Sequence, residues 1–205
     1  LEFSEAVLGL GLMALLISYL PTMYSAFSER EAIVTMLEVR AGDPPNVQDM
    51  LSRLYRIQGL RGMPEMWQTY EQWFVRIEET HTSLSALVFF RSPNPHRSWI
   101  TAAGAVLDTA AFVSSSVDIR RQPEAELCIR AGYLALRSIA DFFRIECVDD
   151  PRYPENPISI SREEYDAVYD ALAEIGVPLK PDRDQAWLDF AGWRVNYDDT
   201  LIPLA

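Results

Sequence analysis

The chain holds two histidines, and both stand near charged groups. His81 follows Glu78 and Glu79; His96 sits beside Arg97 in a loop that also carries Arg91. Two carboxylates and an imidazole are metal-ligand types. A zinc site takes three or four protein ligands, however, and this spacing matches no established ligand motif. A hydrogen-bonded histidine at a helix end is the simpler reading of His81. Arg91, His96 and Arg97 make a candidate anion site, because arginine offers a planar fork of donors to phosphate or carboxylate. Glu78, Glu79, His81, Arg91, His96 and Arg97 are thus the candidate ligand-site residues. Catalysis finds less support. The chain has no Gly-x-Ser-x-Gly elbow, phosphate-cradling glycine loop, His-Glu-x-x-His or Cys-x-x-Cys. Cys128 reads as a buried thiol. No catalytic residue, metal or cofactor is expected, and no enzyme. Asp108, Arg137 and Asp141 fall on apolar helices, where an interhelical salt bridge is the plain role.

Composition narrows the partners. Of 205 residues, 49% are hydrophobic, ample for a packed core. Thirty acids against eighteen bases leave a net charge of −12, which argues against nucleic acid, since phosphate binding needs a basic face. Two cysteines are too few for a disulfide framework and favour a reducing compartment. Residues 146–205 hold fourteen acids and five bases, so −9 of the −12 lies there. Such a segment reads as a peripheral acidic helical subdomain, held off an anionic membrane surface. The chain starts at Leu1 and is expected to be a piece of something longer.

The elements that would position these groups begin with an apolar one. Ala6 to Phe27 is twenty-two residues without a charge. At ~1.5 Å per residue it makes ~33 Å of helix, about the thickness of a bilayer's hydrocarbon. Phe3 near one end and Tyr19, Tyr24 and Phe27 near the other sit where aromatic belts lie. A signal peptide would want basic residues first, whereas here Glu2 and Glu5 lead. A buried core helix is the other rival, usually shorter or two-faced. A transmembrane helix over residues 1–28 is therefore expected. Arg30 and Arg40 follow it and no base precedes it, which places its C-terminal side in the cytoplasm. Pro21 predicts a kink. Gly9 and Gly11 allow a bend or a close neighbour.

The rest reads as helices between breakers. Ser28-Glu-Arg-Glu31 has the capping-box pattern and predicts a helix to Arg40, unless the first helix simply continues. Ile33, Met36, Leu37 and Arg40 would lie on related faces. Ala41 to Pro45 is a stop, and Val47 to Gln58 is the next helix. Residues 29–62 are thus juxtamembrane linker helices. Pro64 opens a helix to about Glu79 with an aromatic stripe of Trp67, Tyr70, Trp73, Phe74 and Ile77. A short apolar helix, 84–90, and a proline-rich loop follow. Trp99 to Val117, rich in alanine, is read as the central helix of a bundle; Asp108 argues against a second span. Pro123 opens a helix to about Ile145. Residues 63–148 are then an antiparallel helical bundle. From 149 come a proline-rich linker, a helix from the Ser161-Arg-Glu-Glu164 box to Ile175, a helix 182–193 and a tail from Tyr197. The fold class is all-α.

Several stretches together resemble one membrane-protein family. They are Glu5-Ala-Val-Leu-Gly-Leu-Gly-Leu, Tyr19-Leu-Pro-Thr-Met-Tyr24, Ala26-Phe-Ser-Glu-Arg-Glu31, Val39-Arg-Ala-Gly-Asp-Pro-Pro45, Glu79-Thr-His-Thr-Ser-Leu84 and Phe89 to Trp99. They resemble the region after the pore in bacterial potassium-channel-like proteins of the two-transmembrane, pore-loop type. The likeness touches most of residues 5–145. It implies that residues 5–27 are the inner, pore-lining helix, with Gly9 and Gly11 as hinges and Pro21 as a kink near the inner mouth. It implies a homo-oligomer, a tetramer if a channel, in the inner or plasma membrane, with the lipid bilayer as partner and the helical domain cytoplasmic. No filter sequence occurs here, so potassium would pass only through an upstream filter. The expected function is pore lining plus a cytoplasmic domain for assembly or gating. The alternatives are a membrane-anchored interaction domain without conduction, or a soluble helical ligand-binding protein.

Overall fold

A computed structural model describes residues 2–95 and 97–204, with side chains for all of these except 2–4, 6, 15 and 58. The described chain is all-α. Seven helices are seen among the described residues: α1 Glu2–Ala41, α2 Val47–Gln58, α3 Met63–Ser83, α4 Trp99–Ser116, α5 Pro123–Phe142, α6 Arg162–Ile175 and α7 Arg183–Leu204. A single 3-10 turn, Ser85–Phe89, follows α3.

α1 has two halves of different character. The first stands clear of the bundle, and its large side chains are open. Leu10 is 72% exposed, Ile17 69% and Met13 63%. It makes α1 the one helix among the described residues that is long and apolar enough to cross a membrane. The second half is core. Arg30, Val34, Leu37 and Ala41, spaced four, three and four apart, are buried. The face expected from Ile33, Met36 and Arg40 is only half-buried. No new helix starts at Ser28. The backbone donors there already bond within α1, so the capping pattern has nothing to cap. Pro21 lies inside the same unbroken helix.

α4 is the centre, as its small residues suggest. Ala102, Ala103, Ala110 and Ala111 are fully buried, which lets neighbours approach on several sides. α3 and α5 run side by side in the same direction: Trp67 Nε1 donates to Gln122 Oε1 (3.2 Å), and Phe74 lies against Gly132. α7 runs against α4, with Leu201 beside Gly104 and Phe190 beside Phe112. α6 and α7 therefore share the central core rather than forming a separate edge. Tyr165, Leu172, Trp187 and Phe190 belong to it, while Glu163, Glu164, Asp170, Glu174, Asp182, Asp184 and Asp189 are exposed.

The expected tail from Tyr197 is helix to Leu204. Tyr197, Asp198 and Thr200 are buried there. Thr200 donates to the Tyr197 carbonyl within the helix (2.8 Å), and the other two take part in a network that reaches α4 and the 159 segment. Arg194 bridges Asp108 of α4 and Asp198 (2.7 Å), Tyr197 Oη donates to Asp108 (3.0 Å), and Ser159 donates twice to Asp198 (2.9 and 2.7 Å). Asp108 thus pairs with Arg194, not Arg137. Arg137 donates instead to the Val148 and Asp149 carbonyls (2.6 and 2.8 Å), and Asp141 is exposed.

Candidate functional site

The residues with unusual chemistry converge where the open half of α1 meets the bundle. Arg30 is the centre, only 4% exposed. Guanidinium carries five N–H donors, and each has an acceptor here. Nε donates to Glu31 Oε1 (3.2 Å). Nη1 donates to the Leu87 carbonyl (2.9 Å) and to His81 Nε2 (3.2 Å). Nη2 donates to Glu31 Oε1 (3.0 Å) and to the Phe90 carbonyl (2.6 Å). The rings of Phe27 and Trp99 lie 5.1 and 6.0 Å from its carbon. One side chain of α1 therefore holds α3, the 3-10 turn and the start of α4.

Local structure explains the acceptors. The tight turn after Leu84 leaves the Leu87 and Phe90 carbonyls near one point. Ser98 caps α4 by accepting from the Thr101 amide (3.5 Å), which fixes Trp99 as the first helical residue, 4.7 Å from the His81 ring. The tautomer of His81 follows from its neighbours. Arg30 can only donate, so Nε2 accepts. Nδ1 then carries the proton and donates to the Ile77 carbonyl (2.9 Å). Burial, aided by the Arg30 charge, pulls the His81 pKa down to about 4. Burial also lowers the Arg30 pKa, against the raising effect of Glu31.

Further arginines fasten the buried half of α1. Arg97 grips Glu38 with two donors (both 2.6 Å) and reaches Thr35 (3.1 Å). Arg53 donates to the Glu38 and Val39 carbonyls (3.3 and 2.9 Å), where the last turn of α1 has spare acceptors. Arg76 pairs with Glu29 on the surface (3.0 Å).

The candidate ligand residues fall in two places: Arg91 and Arg97 both line the groove beside Phe89 and Phe143, while His81 is enclosed in the bundle. His81 bonds to Arg30, Thr80 and Ile77, and neither Glu78 nor Glu79 bonds to it; Glu79 is exposed. Arg97 is taken by Glu38, and Arg91 is exposed. His96 lies outside the described residues. No group of three or more metal-ligating side chains forms among the described residues. Gly9 and Gly11 have no neighbour within 4 Å.

Arg30 was visible in the sequence only as the first base after the apolar stretch. Its spacing with Val34, Leu37 and Ala41 is the signal that puts it on the buried face. Its hydrogen-bond partners other than Glu31 lie 51 to 60 residues away and leave no local trace. Chemically the junction holds a neutral imidazole that accepts and a cation with no free donor. No family model, curated protein or solved structure matches this chain.

Proposed function

We propose that the chain is the inner-helix part of an oligomeric, potassium-channel-like membrane protein. The open half of α1 lines a shared axis, and the helical domain on the cytoplasmic side sets assembly and gating. The observation that supports this reading is the continuity of α1. One helix is apolar and uncovered for its first half, then locked into a core by Arg30. A tilt or rotation of the bundle is therefore passed to the membrane half without a flexible joint, and Gly9, Gly11 and Pro21 are where it would become a bend. The plasma membrane, a fourfold assembly and conduction of potassium through an upstream filter come to this chain from its resemblance.

A test uses single cysteines at successive positions 7–24 in a Cys128→Ala, Cys147→Ala background, oxidised in native membranes. Pore lining is expected to give intersubunit crosslinks on one helical face, and access of an impermeant thiol reagent to that same face. Crosslinks at no position would leave α1 as a simple anchor. That second reading has one observation in its favour. Leu8, Leu12, Leu16 and Leu20 on one side and Leu10, Met13 and Ile17 on another are all exposed, as a helix wrapped by lipid requires.

A further inference from the structure

Two Phe-Phe-Arg triplets occur in this chain, Phe89-Phe90-Arg91 and Phe142-Phe143-Arg144, 53 residues apart. The fold brings them together. Phe89 and Phe143 meet edge to face at 5.6 Å, and both help line an open groove of about 590 Å³ with Pro203 and Leu204. Phe89 is 72% exposed, Phe142 51% and Phe90 46%. Arg91 and Arg144 are exposed, and neither guanidinium has an ion-pair partner among the described residues.

The height of this face is fixed by α1. Phe90 touches Phe27 (6.1 Å), and its carbonyl accepts from Arg30. Phe27 stands two residues before Glu29, the first charge after the apolar stretch. The two triplets thus stand at the level where the apolar helix leaves the hydrocarbon, the depth at which aromatic rings and arginines partition into a bilayer interface. Charge does not by itself distinguish the two ends of the bundle: exposed acids stand near the span as well (Glu29, Glu79, Asp141 and Glu146), and the exposed Arg120 lies just past the far end of α4. What sets the near end apart is the set of exposed phenylalanines beside the exposed Arg91 and Arg144.

We infer that the twin Phe-Phe-Arg face docks on the anionic headgroup surface surrounding α1, with Phe89 and Phe142 dipping to the acyl boundary and Arg91 and Arg144 meeting lipid phosphates. This inference rests on α1 crossing the membrane, and not on conduction. Asp141 and Glu146 flank the second triplet and are exposed, so the face is selective for phosphate only at the two guanidinium tips.

The experiment places one environment-sensitive fluorophore at a time at positions 89, 142, 13 and 185, by cysteine substitution in the Cys128→Ala, Cys147→Ala background. The full chain is reconstituted in vesicles of phosphatidylcholine mixed with phosphatidylglycerol, carrying a doxyl quencher close to the headgroup. Loss of emission is expected at 89, 142 and 13, and none at 185. Arg91→Gln with Arg144→Gln should lower the docked fraction at 89 and 142, by roughly thirtyfold in the docking ratio for two well-placed bases, and leave 13 unchanged. Quenching at 13 without quenching at 89 and 142 overturns the docking. A blue shift at 89 and 142 without quenching overturns it in favour of a second copy of the chain. No quenching at 13 defeats the span itself and the docking with it.

Discussion

Replacing Arg30 with methionine keeps an unbranched stem that reaches about as far as Nε and deletes the charge and all five donors. The cost can be worked through from what is left behind. Glu31 keeps a side chain 14% exposed and loses its cation, and its Oε2 already has no hydrogen-bond partner. His81 Nε2 and the Phe90 carbonyl lose their donor, whereas Leu87 still accepts from the Phe90 amide (3.1 Å). Removing one partner of a buried ion pair costs about 3–5 kcal/mol. Part of this returns, because the guanidinium is itself penalised by burial, the largest influence on its pKa. About 3 kcal/mol is expected, roughly a hundredfold in the equilibrium between docked and undocked α1. Hydrogen exchange of the full chain in detergent micelles reads that equilibrium. Amides of residues 30–41 and 84–90 should exchange about a hundredfold faster, while those of α6 should not change. Arg30→Met with Glu31→Gln removes both charges and should recover half or more of the loss, since an ion pair replaced as a whole is often nearly neutral. A single variant within about threefold of the parent, about 0.6 kcal/mol, would refute the idea that Arg30 locks the helix.

Three other perturbations have definite signs. His81 has its pKa held down at about 4, against 6.5 for the free imidazole. The unfolded chain therefore takes up a proton that the folded one refuses, and stability is expected to fall by about 3 kcal/mol as pH drops from about 6.5 to about 4. His81→Gln, which can still accept from Arg30, should remove that component in pH-dependent denaturation. Gly132→Ala would set a methyl 2.5 Å from Leu107 Cδ2 and 3.0 Å from the Phe74 ring, both fully buried. A loss of about 1–3 kcal/mol in denaturant unfolding is expected from this overpacking. Arg194→Met leaves Asp108 and Asp198 facing each other without a cation, for a loss of about 3–5 kcal/mol at neutral pH.

Where a helix carries its own punctuation, the sequence was enough. α2 begins at Asn46, which accepts from the Asp49 amide, and ends at Gly59 in the left-handed conformation; its span of 47–58 is the one its pattern predicts. α6 has a working capping box at Ser161 and Glu164. The same pattern at Ser28 left two readings open, a new start or a continuing helix, because four residues cannot tell a helix start from a helix interior; the helix continues. Long-range pairing was the other limit. Asp108 and Arg194 are 86 residues apart, and Arg30 and His81 are 51 apart. Acids in the last sixty residues suggested an edge, yet Trp187, Phe190 and Tyr197 of that segment are core. Net charge averages over two faces that differ.

The unbroken run of α1 through Phe27 to Arg30 also fixes an azimuth. Each residue of an α-helix advances about 100°. With Arg30 seated, the compass bearing of every residue in the exposed half relative to the bundle is set. Met23, two turns earlier and buried on the docked side, marks that bearing where the exposed half begins. One residue inserted between Ser25 and Phe27 would leave the junction intact and swing the whole outer half by about 100°. In an assembly of several copies it would present a different side of each helix to its neighbours. The length of this connection is thus under tighter constraint than its composition. Seven inserted residues, two near-complete turns, should be tolerated in orientation far better than one or two.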